Sequence, residues 1–470
     1  MRRWVVAVIV AATTLALPGA AAALTLGLDA VGPLGSPDSG VSGPWAQRAS
    51  ADHAQLVRVG VQWSVVAPAR LPRHGFNQRD PASRHYSWAA TDAVVRQLAA
   101  RRFRLMIVIT GAPRWAEGAH RRHGAPPGTW KPNAPDFGRF ARAAATRYSG
   151  HFADPLRPGH LLPRVGYWEA WNEPNLSTFL TPQWTKKNRR FVPTSPAIYR
   201  GLLDSLYAAV KRVSPRNIVV GGATAPFGDL SPSQRNNARI QPVPFVRAML
   251  CLEGKQLRRG HCGHAARMDI LDHHPYDIGG PFQHAVNAGD VSVPDMGKLA
   301  RLLRAAVRDR TLLPRRAKRL WATELGWASR PPDRQGVPLQ KQARWLEQAL
   351  YILWRQRVST VCWLQIADDS GPSALTAGLY FARGKAKPAA LAFRFPFVVV
   401  AHKHKPVRVW GRSPVAGAVR VQRRFGRRWV TVRRLKVHRY GIFSATIRLN
   451  GHPTLRAQIG GRPSLSWADA

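Results

Sequence analysis

The sequence has 470 residues, which is longer than a single domain usually is. Hydrophobic residues make up 45% of it, which is too apolar a composition for a disordered chain. Lysine and arginine number 71 against 25 acidic residues, so the net charge is +46. Such a charge attracts polyanions, yet no nucleic-acid recognition motif accompanies it, and we expect no nucleic-acid partner. An anionic cell-wall polymer or an acidic polysaccharide fits better, with an arginine-rich composition that serves no polyanion as an equal alternative.

The first 23 residues have the layout of a secretory signal peptide. Two arginines precede an apolar stretch, residues 4–17, and small residues suited to cleavage follow at positions 21–23. The apolar stretch is short for a bilayer span, and no other long apolar run follows it. We therefore expect a secreted or extracellular protein without an integral membrane span after cleavage, and association with the cell envelope stays open.

The cysteines agree with export. Cys251 and Cys262 flank the short polar loop "CLEGKQLRRGHC" and are candidates for a disulfide, whereas Cys362 lies in an apolar run and is expected to be buried. Histidines near Cys262 raise the alternative of a zinc site, but their spacing matches no closed four-ligand pattern. We expect no metal.

Along the chain, eight short apolar runs alternate with amphipathic segments. The helical segments repeat their apolar residues at steps of three and four, whereas the runs between them are rich in β-branched and aliphatic residues. The predicted strands are residues 24–29, 56–63, 104–111, 165–173, 217–223, 268–276, 319–327 and 358–367. The clearest predicted helices are residues 89–102, 136–150, 196–213, 298–310 and 341–356.

This alternation predicts an α/β fold with a buried parallel sheet. Eight strand and helix units close into a (β/α)8 TIM barrel, which we place over residues 24–395. A doubly wound open sheet is the competing architecture, but no glycine-rich phosphate turn follows the first strand, as it would in a dinucleotide-binding protein.

The segment 396–470 has a different pattern. Five short strand candidates are separated by glycine or proline turns, and 16 lysines and arginines face a single acid, Asp469. We predict a basic, small, all-β domain here, which resembles the immunoglobulin-like sandwich modules appended to exported bacterial proteins. Its alternating arginines would place one row outward, either to tether the protein to an anionic polymer or as a solvated surface that only caps the barrel.

Two glutamates are candidates for catalysis. Glu173 lies in "YWEAWNEPNL" at the predicted end of the fourth strand, where Pro174 cannot continue the ladder, and Glu324 lies in "RLWATELGW" at the predicted end of the seventh. Strands four and seven lie on opposite sides of a small barrel, so both carboxylates can face its mouth, where barrel enzymes hold their active sites. Cleavage of a glycosidic bond needs such a pair.

The motifs "WNEP", "TELGW" and "HPY" (residues 274–276) together resemble the clan A glycoside hydrolases, most closely family 39 and family 5. The resemblance covers roughly residues 55–390 and implies a retaining mechanism without a cofactor. It implies that Glu173 is the acid/base, that Glu324 is the nucleophile, and that Asn172 binds the 2-hydroxyl of the sugar.

The same resemblance assigns further residues to the pocket. Arg58, on the second strand, would orient the nucleophile, and His274 and Tyr276 would form the pocket floor around it. Trp115 and Trp363 lie near predicted strand ends, and their flat indoles suit the apolar face of a sugar ring, although tryptophan is also ordinary core filling. We therefore predict a secreted retaining glycosidase acting on a poly- or oligosaccharide. The alternative is a catalytically inactive carbohydrate-binding or cell-envelope matrix protein on the same barrel.

Overall fold

A computed structural model describes residues 23–233, 238–371, 374–400, 406–449, 451 and 453–468. Apart from its last residue, the predicted signal peptide (residues 1–23) lies outside the described residues. Within those ranges, no helix combines the length and the apolar composition that crossing a bilayer requires.

Eight parallel strands form a closed barrel, each hydrogen-bonded to its neighbours in chain order, with the last strand pairing with the first. This confirms the predicted (β/α)8 architecture. The strands are β1 (Thr25–Asp29), β2 (Leu56–Gln62), β3 (Arg104–Thr110), β4 (Tyr167–Ala170), β5 (Ile218–Thr224), β6 (Ile270–His273), β7 (Arg319–Ala322) and β8 (Val358–Trp363).

Helices surround the barrel, and their apolar faces pack on the outward side chains of the strands. The five helices predicted from periodicity, α3, α4, α5, α7 and α8 below, begin and end within three residues of their predicted bounds. The helices are α1 (Ser39–Ala51), α2 (Trp63–Val66), α3 (Ala89–Ala100), α4 (Ala134–Arg147), α5 (Ser195–Val213), α6 (Pro242–Met249), α7 (Met296–Arg308), α8 (Leu339–Arg355) and α9 (Pro388–Arg394).

The helix α4 shows how the local sequence sets these bounds. Asn133 caps its start, because the side chain accepts a hydrogen bond from the backbone N–H of Asp136 at 2.9 Å. Phe137 and Phe140 then lie on one face, and both are fully buried against the barrel.

Short elements occupy the loops. They are the 3-10 turns Gly32–Gly35, Arg114–Ala116 and Val293–Asp295, and the strand pairs Trp184–Lys187 with Arg190–Pro193, Leu252–Glu253 with Arg258–Arg259, Ala266–Arg267 with Leu312–Leu313, and Ser329–Arg330 with Val337–Pro338.

After α9, two antiparallel sheets follow and share a small apolar core of valines, isoleucines and phenylalanines. This confirms the predicted C-terminal all-β region. One sheet has the order β9–β10–β13, and the other has the order β12–β11–β14–β15, with β16 also pairing with β14. The strands are β9 (Phe397–Val400), β10 (Val407–Arg412), β11 (Gly417–Phe425), β12 (Arg428–Val437), β13 (Ile442–Ile447), β14 (Thr454–Ile459), β15 (Arg462–Pro463) and β16 (Trp467–Ala468).

The β region packs against α8 and the N-terminal end of the barrel. The buried carboxylate of Glu347, on α8, accepts a hydrogen bond from the indole N–H of Trp467 at 2.9 Å. Arg412, on β10, donates to the carbonyl of Leu24 at 2.8 Å, immediately before β1 begins. Because the barrel strands are parallel, the β region contacts the barrel at the end opposite to the carboxyl ends of the strands, where barrel active sites lie.

Candidate active site

The loop that carries Glu173 differs from the prediction. Strand β4 ends at Ala170, three residues before Glu173, so the expectation that Glu173 is the last residue of the strand was wrong. Trp171 and Glu173 adopt left-handed backbone conformations, with φ of 62° and 37°. Such angles are strained for side chains larger than glycine and persist only where neighbouring groups hold them.

Hydrogen bonds to the adjoining strands hold this turn in place. The backbone N–H of Trp171 donates to Ile109 of β3, and the N–H of Glu173 donates to Ala223 of β5, both at 2.9 Å. The fully buried Asn175 accepts from the N–H of Ala225 at 2.8 Å. The turn therefore aims the Glu173 side chain from between β3 and β5 into the mouth of the barrel.

Glu324 also lies beyond its strand, because β7 ends at Ala322. An oxygen of each of the two carboxylates, together with a ring nitrogen of His274, lies within 4.8 Å of the others. The side chains of Glu173 and Glu324 are 13% and 14% exposed, so solvent and a ligand can reach both. The two candidates, 151 residues apart in the sequence, thus meet at one opening.

Arg58 lies at the centre of the site. Its guanidinium is almost completely buried and contacts four acceptors: Glu169 at 2.6 Å, Asp29 at 2.6 Å, Glu324 at 2.7 Å and Asn172 at 2.6 Å. Burial alone would lower the pKa of Arg58, but the neighbouring carboxyl groups of Glu169, Asp29 and Glu324 outweigh it and raise the pKa well above its usual value. Arg58 is therefore a permanent cation against Glu324.

Asn172 receives its orientation from this cation. Its Oδ1 accepts the hydrogen bond from Nη2 of Arg58, so the amide nitrogen points away from the guanidinium, and its N–H groups have no acceptor among the described residues. This is the arrangement that binding of a sugar hydroxyl requires.

His274 and Tyr276 lie against the two glutamates. Nδ1 of the buried His274 is 3.1 Å from Glu173 and 3.5 Å from Glu324, and the Tyr276 hydroxyl donates to Glu324 at 3.0 Å. Burial alone would lower the pKa of His274, but Glu324 and the hydrogen bonds with Asp272 and Glu173 raise it well above its usual value, so the ring is an imidazolium at neutral pH. Burial raises the pKa of Tyr276 well above its usual value, and the charge of Glu324 adds to this, so Tyr276 remains a donor.

Beneath the opening, two buried carboxyl groups meet. Oε1 of Glu169 finds no hydrogen-bond donor among the described residues, and the carboxyl group is instead hydrogen-bonded to that of Asp272. Two buried carboxylates in contact cannot both be ionised at low cost. Burial above all raises the pKa of Glu169 well above its usual value, while the hydrogen bond and charge of His274 outweigh burial and lower the pKa of Asp272. The directions of the two shifts favour a proton on Glu169 over one on Asp272.

Asp29 and Thr323 belong to the site but were missed. Asp29 ends β1 beside Arg58, and burial raises its pKa to about 6 although Arg58 opposes the shift. Thr323 bonds the Asp272 carboxylate through its backbone N–H, at 3.0 Å, and through its hydroxyl. For Asp29 a signal existed, since a polar residue at the carboxyl end of an apolar barrel strand faces the active-site end.

The two predicted sugar platforms do not join this cluster. Trp363 is 2% exposed, packs against Trp327, and donates its indole N–H to the carbonyl of Ala377 at 2.6 Å. Its neighbour Cys362 faces the barrel interior, so Trp363 points outward to the helices. This placement speaks against a sugar-stacking role for Trp363. Trp115 is half-buried and packs edge-on against Trp63, with ring centroids 5.8 Å apart.

The remaining predictions concern the cysteines and a metal site. Cys251 and Cys262 form a disulfide, and Cys362 is a buried free thiol. Among the described residues, the one group whose ligand atoms lie close enough to hold a metal ion is Glu173, His274 and Glu324.

The fold is similar to those of solved glycoside hydrolases. A family 39 glycoside hydrolase from the gut symbiont Bacteroides cellulosilyticus WH2 shares 15% identity and a TM-score of 0.55, over 91% of this chain and 81% of that one. A monomeric β-xylosidase from Caulobacter crescentus CB15 gives 15% and 0.52, over 92% and 96%. A glucosidase from Croceicoccus marinus gives 15% and 0.50, over 92% and 81%.

No protein-family model matches the sequence, and neither does any curated protein. At 15% identity, the structural likenesses bear on the fold. They agree in fold with the resemblance that the motifs indicated: the chain has a (β/α)8 barrel followed by antiparallel β-sheets, and its fold is similar to that of a solved family 39 glycoside hydrolase.

Proposed function

We propose that this chain is a retaining glycoside hydrolase, with Glu324 as the nucleophile and Glu173 as the general acid/base. The observation that carries the proposal is the separation of the two carboxylates, whose nearest oxygens lie within 4.8 Å. Retaining enzymes hold their carboxyl groups about 5 Å apart, whereas inverting enzymes need roughly 6.5–9.5 Å to admit a water molecule between carboxylate and sugar.

In the first step, Glu324 attacks the anomeric carbon while Glu173 gives its proton to the leaving oxygen. The glycosidic C–O bond breaks, and a covalent glycosyl-enzyme forms on Glu324. Arg58 and Tyr276, 2.7 and 3.0 Å from Glu324, hold the nucleophile in place. The free amide of Asn172 is poised to bind a hydroxyl next to the reacting carbon.

In the second step, Glu173 accepts a proton from water, and the resulting hydroxide attacks the anomeric carbon. Glu324 leaves as a carboxylate, so the sugar keeps its original configuration. His274 lies between the two glutamates and donates to Glu173. It can therefore stabilise negative charge on either carboxylate as the reaction proceeds.

The proposed substrate is an O-glycoside of a poly- or oligosaccharide, acted on outside the cell. The Cys251–Cys262 disulfide supports an oxidising compartment, since disulfides are rare in the cytosol. The basic composition supports an acidic partner.

Covalent labelling tests the proposal most directly. A set of 2-fluoro glycosides with activated leaving groups should label Glu324 in the natural chain, as peptide mass spectrometry would show. Glu173→Gln and Glu324→Gln should each abolish turnover of aryl glycosides while leaving thermal unfolding unchanged, because both side chains lie at an open rim. The matched control is Glu253→Gln, an exposed glutamate on a distant loop.

A Glu324→Gly variant adds a stereochemical test. Azide should restore its activity and give a glycosyl azide of inverted configuration, because the small anion takes the place of the missing carboxylate. Labelling of another residue, or turnover by Glu324→Gln, would overturn the assignment. A barrel without catalysis would bind glycans yet give neither label nor turnover.

A further inference from the structure

The outward face of the sheet formed by β11, β12 and β14 is cationic. Register partners in antiparallel strands lie on the same face, so the pairs Ala418 with Lys436, Arg420 with Arg434, Gln422 with Thr431 and Arg424 with Trp429 define it. On the other side of β11, Arg420 pairs with Gln458 and Gln422 with Arg456. The alternate residues, among them Val419, Val421 and Ala457, are buried in the small core.

Like charges stand directly opposite each other on this face. Arg420 and Arg434 are register partners, and side chains so placed are about 5 Å apart at Cβ, where equal charges repel. None of the described residues 406–468 is acidic, so no carboxylate of the β region offsets them. A sheet that serves stability alone gains nothing from this pair.

One arginine of the face is already held in position. The guanidinium of Arg456 lies 4.1 Å from the ring centroid of Trp429, and its Nε donates to Gln422 at 2.8 Å. Gln422 in turn donates to Gln458 at 3.1 Å. A guanidinium that is oriented before binding loses less freedom when it pairs with a carboxylate.

We propose that this face, defined by Arg420, Arg434, Lys436, Arg456 and the amide of Gln458, binds a polysaccharide that carries carboxylate groups. The cations pair with the carboxylates, and the amide exchanges hydrogen bonds with the hydroxyl groups between them. The alternation of cations and amides favours a uronic-acid type of polymer, since a phosphodiester chain offers few hydroxyl groups.

The face does not depend on the barrel's chemistry. The β region contacts the barrel near Leu24, at the end opposite to Glu173 and Glu324. A polymer bound there leaves the catalytic opening free, so the face acts as an anchor that keeps the protein on its polymer. The proposal therefore goes beyond the proposed hydrolase and stands if the barrel proves inactive.

Binding of the full chain to polygalacturonate tests this anchor. The methyl ester of the same polymer is the matched ligand, because it keeps the backbone and removes the charge. We expect the natural chain to bind polygalacturonate, to release it as salt rises, and to bind the ester weakly. The variant Arg420→Gln/Arg434→Gln/Lys436→Gln should bind polygalacturonate roughly tenfold more weakly, because it loses three exposed ion pairs that each contribute modestly.

The control variant removes the same charge elsewhere: Arg101→Gln/Arg216→Gln/Arg315→Gln, three exposed arginines scattered over the barrel. It should bind within about twofold of the natural chain, and thermal unfolding of the first variant should not drop, because its substitutions relieve repulsion. Equal losses in both variants would reduce the effect to net charge and overturn the proposal. So would undiminished binding by the first variant, equal binding to the ester, or stronger competition by duplex DNA or anionic vesicles at matched charge.

Discussion

The protonation state of Glu169 gives the sharpest test of the site. The substitution Glu169→Gln replaces that acid with an amide of the same shape. Its carbonyl can accept from Nε of Arg58, as Oε2 does now at 2.6 Å, and its N–H can donate to Asp272 in place of the acid proton. Every hydrogen bond of the natural side chain then has an equivalent.

The change in the free energy of unfolding distinguishes a neutral Glu169 from an ionised one. If Glu169 is neutral, Glu169→Gln should change the free energy of unfolding near pH 5 by less than about 1 kcal/mol. If it were a carboxylate paired with Arg58, the same substitution would break a buried ion pair and cost about 3–5 kcal/mol. Glu169→Ala is the reference for complete loss of these hydrogen bonds, because it leaves Arg58 and Asp272 without this partner in the barrel interior.

The pH dependence has a definite sign. A carboxyl group whose pKa is raised on folding keeps its proton in the native state after the unfolded chain has released it, so its contribution to stability falls as pH rises above its ordinary value of 4.5. The glutamine has no such proton. The variant should therefore gain stability relative to the natural chain by up to about 1.4 kcal/mol per pH unit between pH 5 and 7.

Urea unfolding at a series of pH values measures this difference, and kcat/KM on an aryl glycoside reports whether the site survives. We expect kcat/KM of Glu169→Gln to stay within about tenfold, a change of 1.4 kcal/mol in barrier, and Glu169→Ala to fall much further. If Glu169→Gln is as unstable as Glu169→Ala, or if the stability difference does not move with pH, Glu169 is ionised and the reasoning fails.

Two further predictions concern the rim and the loops. Tyr276→Phe removes one hydrogen bond to Glu324, which is worth about 1.5–3 kcal/mol for a charged acceptor. Steady-state kinetics should therefore show kcat lower by about tenfold to a hundredfold, with little change in KM. An unchanged kcat would contradict the contact. Cys251→Ser opens a disulfide of sequence separation 11 and should lower the free energy of urea unfolding by about 3 kcal/mol. Reductant should lower the stability of the natural chain by a similar amount and leave the variant unaffected.

The barrel could be predicted from the sequence because its strands are continuous apolar runs between amphipathic helices. Strands buried on both faces leave that signal whatever their partners are. The turn that carries Glu173 could not be placed to the residue. In "YWEAWNEP" the apolar run continues past Ala170, but Trp171 and Glu173 leave the extended conformation. Their backbone N–H groups donate to the carbonyls of Ile109 and Ala223, which are at least 50 residues away in the chain.

Side-chain direction was a second limit. The position of Trp363 near a strand end suggested a sugar platform, yet the strand places Cys362 inward and Trp363 outward. Successive side chains of a strand point to opposite faces, so one residue known to face inward fixes the direction of its neighbours. Arg58 and Glu169 could have supplied the reference, since a charged residue inside an apolar barrel strand needs a partner across the barrel interior.

The charge of the whole cluster explains why neutral carboxyl groups are necessary there. Five carboxyl groups and two cations meet at the site: Asp29, Glu169, Glu173, Asp272 and Glu324, with Arg58 and His274. Full ionisation would leave three negative charges in excess, and a poorly solvated site takes up protons rather than hold them. Glu169 removes one charge, and Asp29, whose pKa is about 6, removes a second in mildly acidic solution. One excess negative charge then remains among the seven groups.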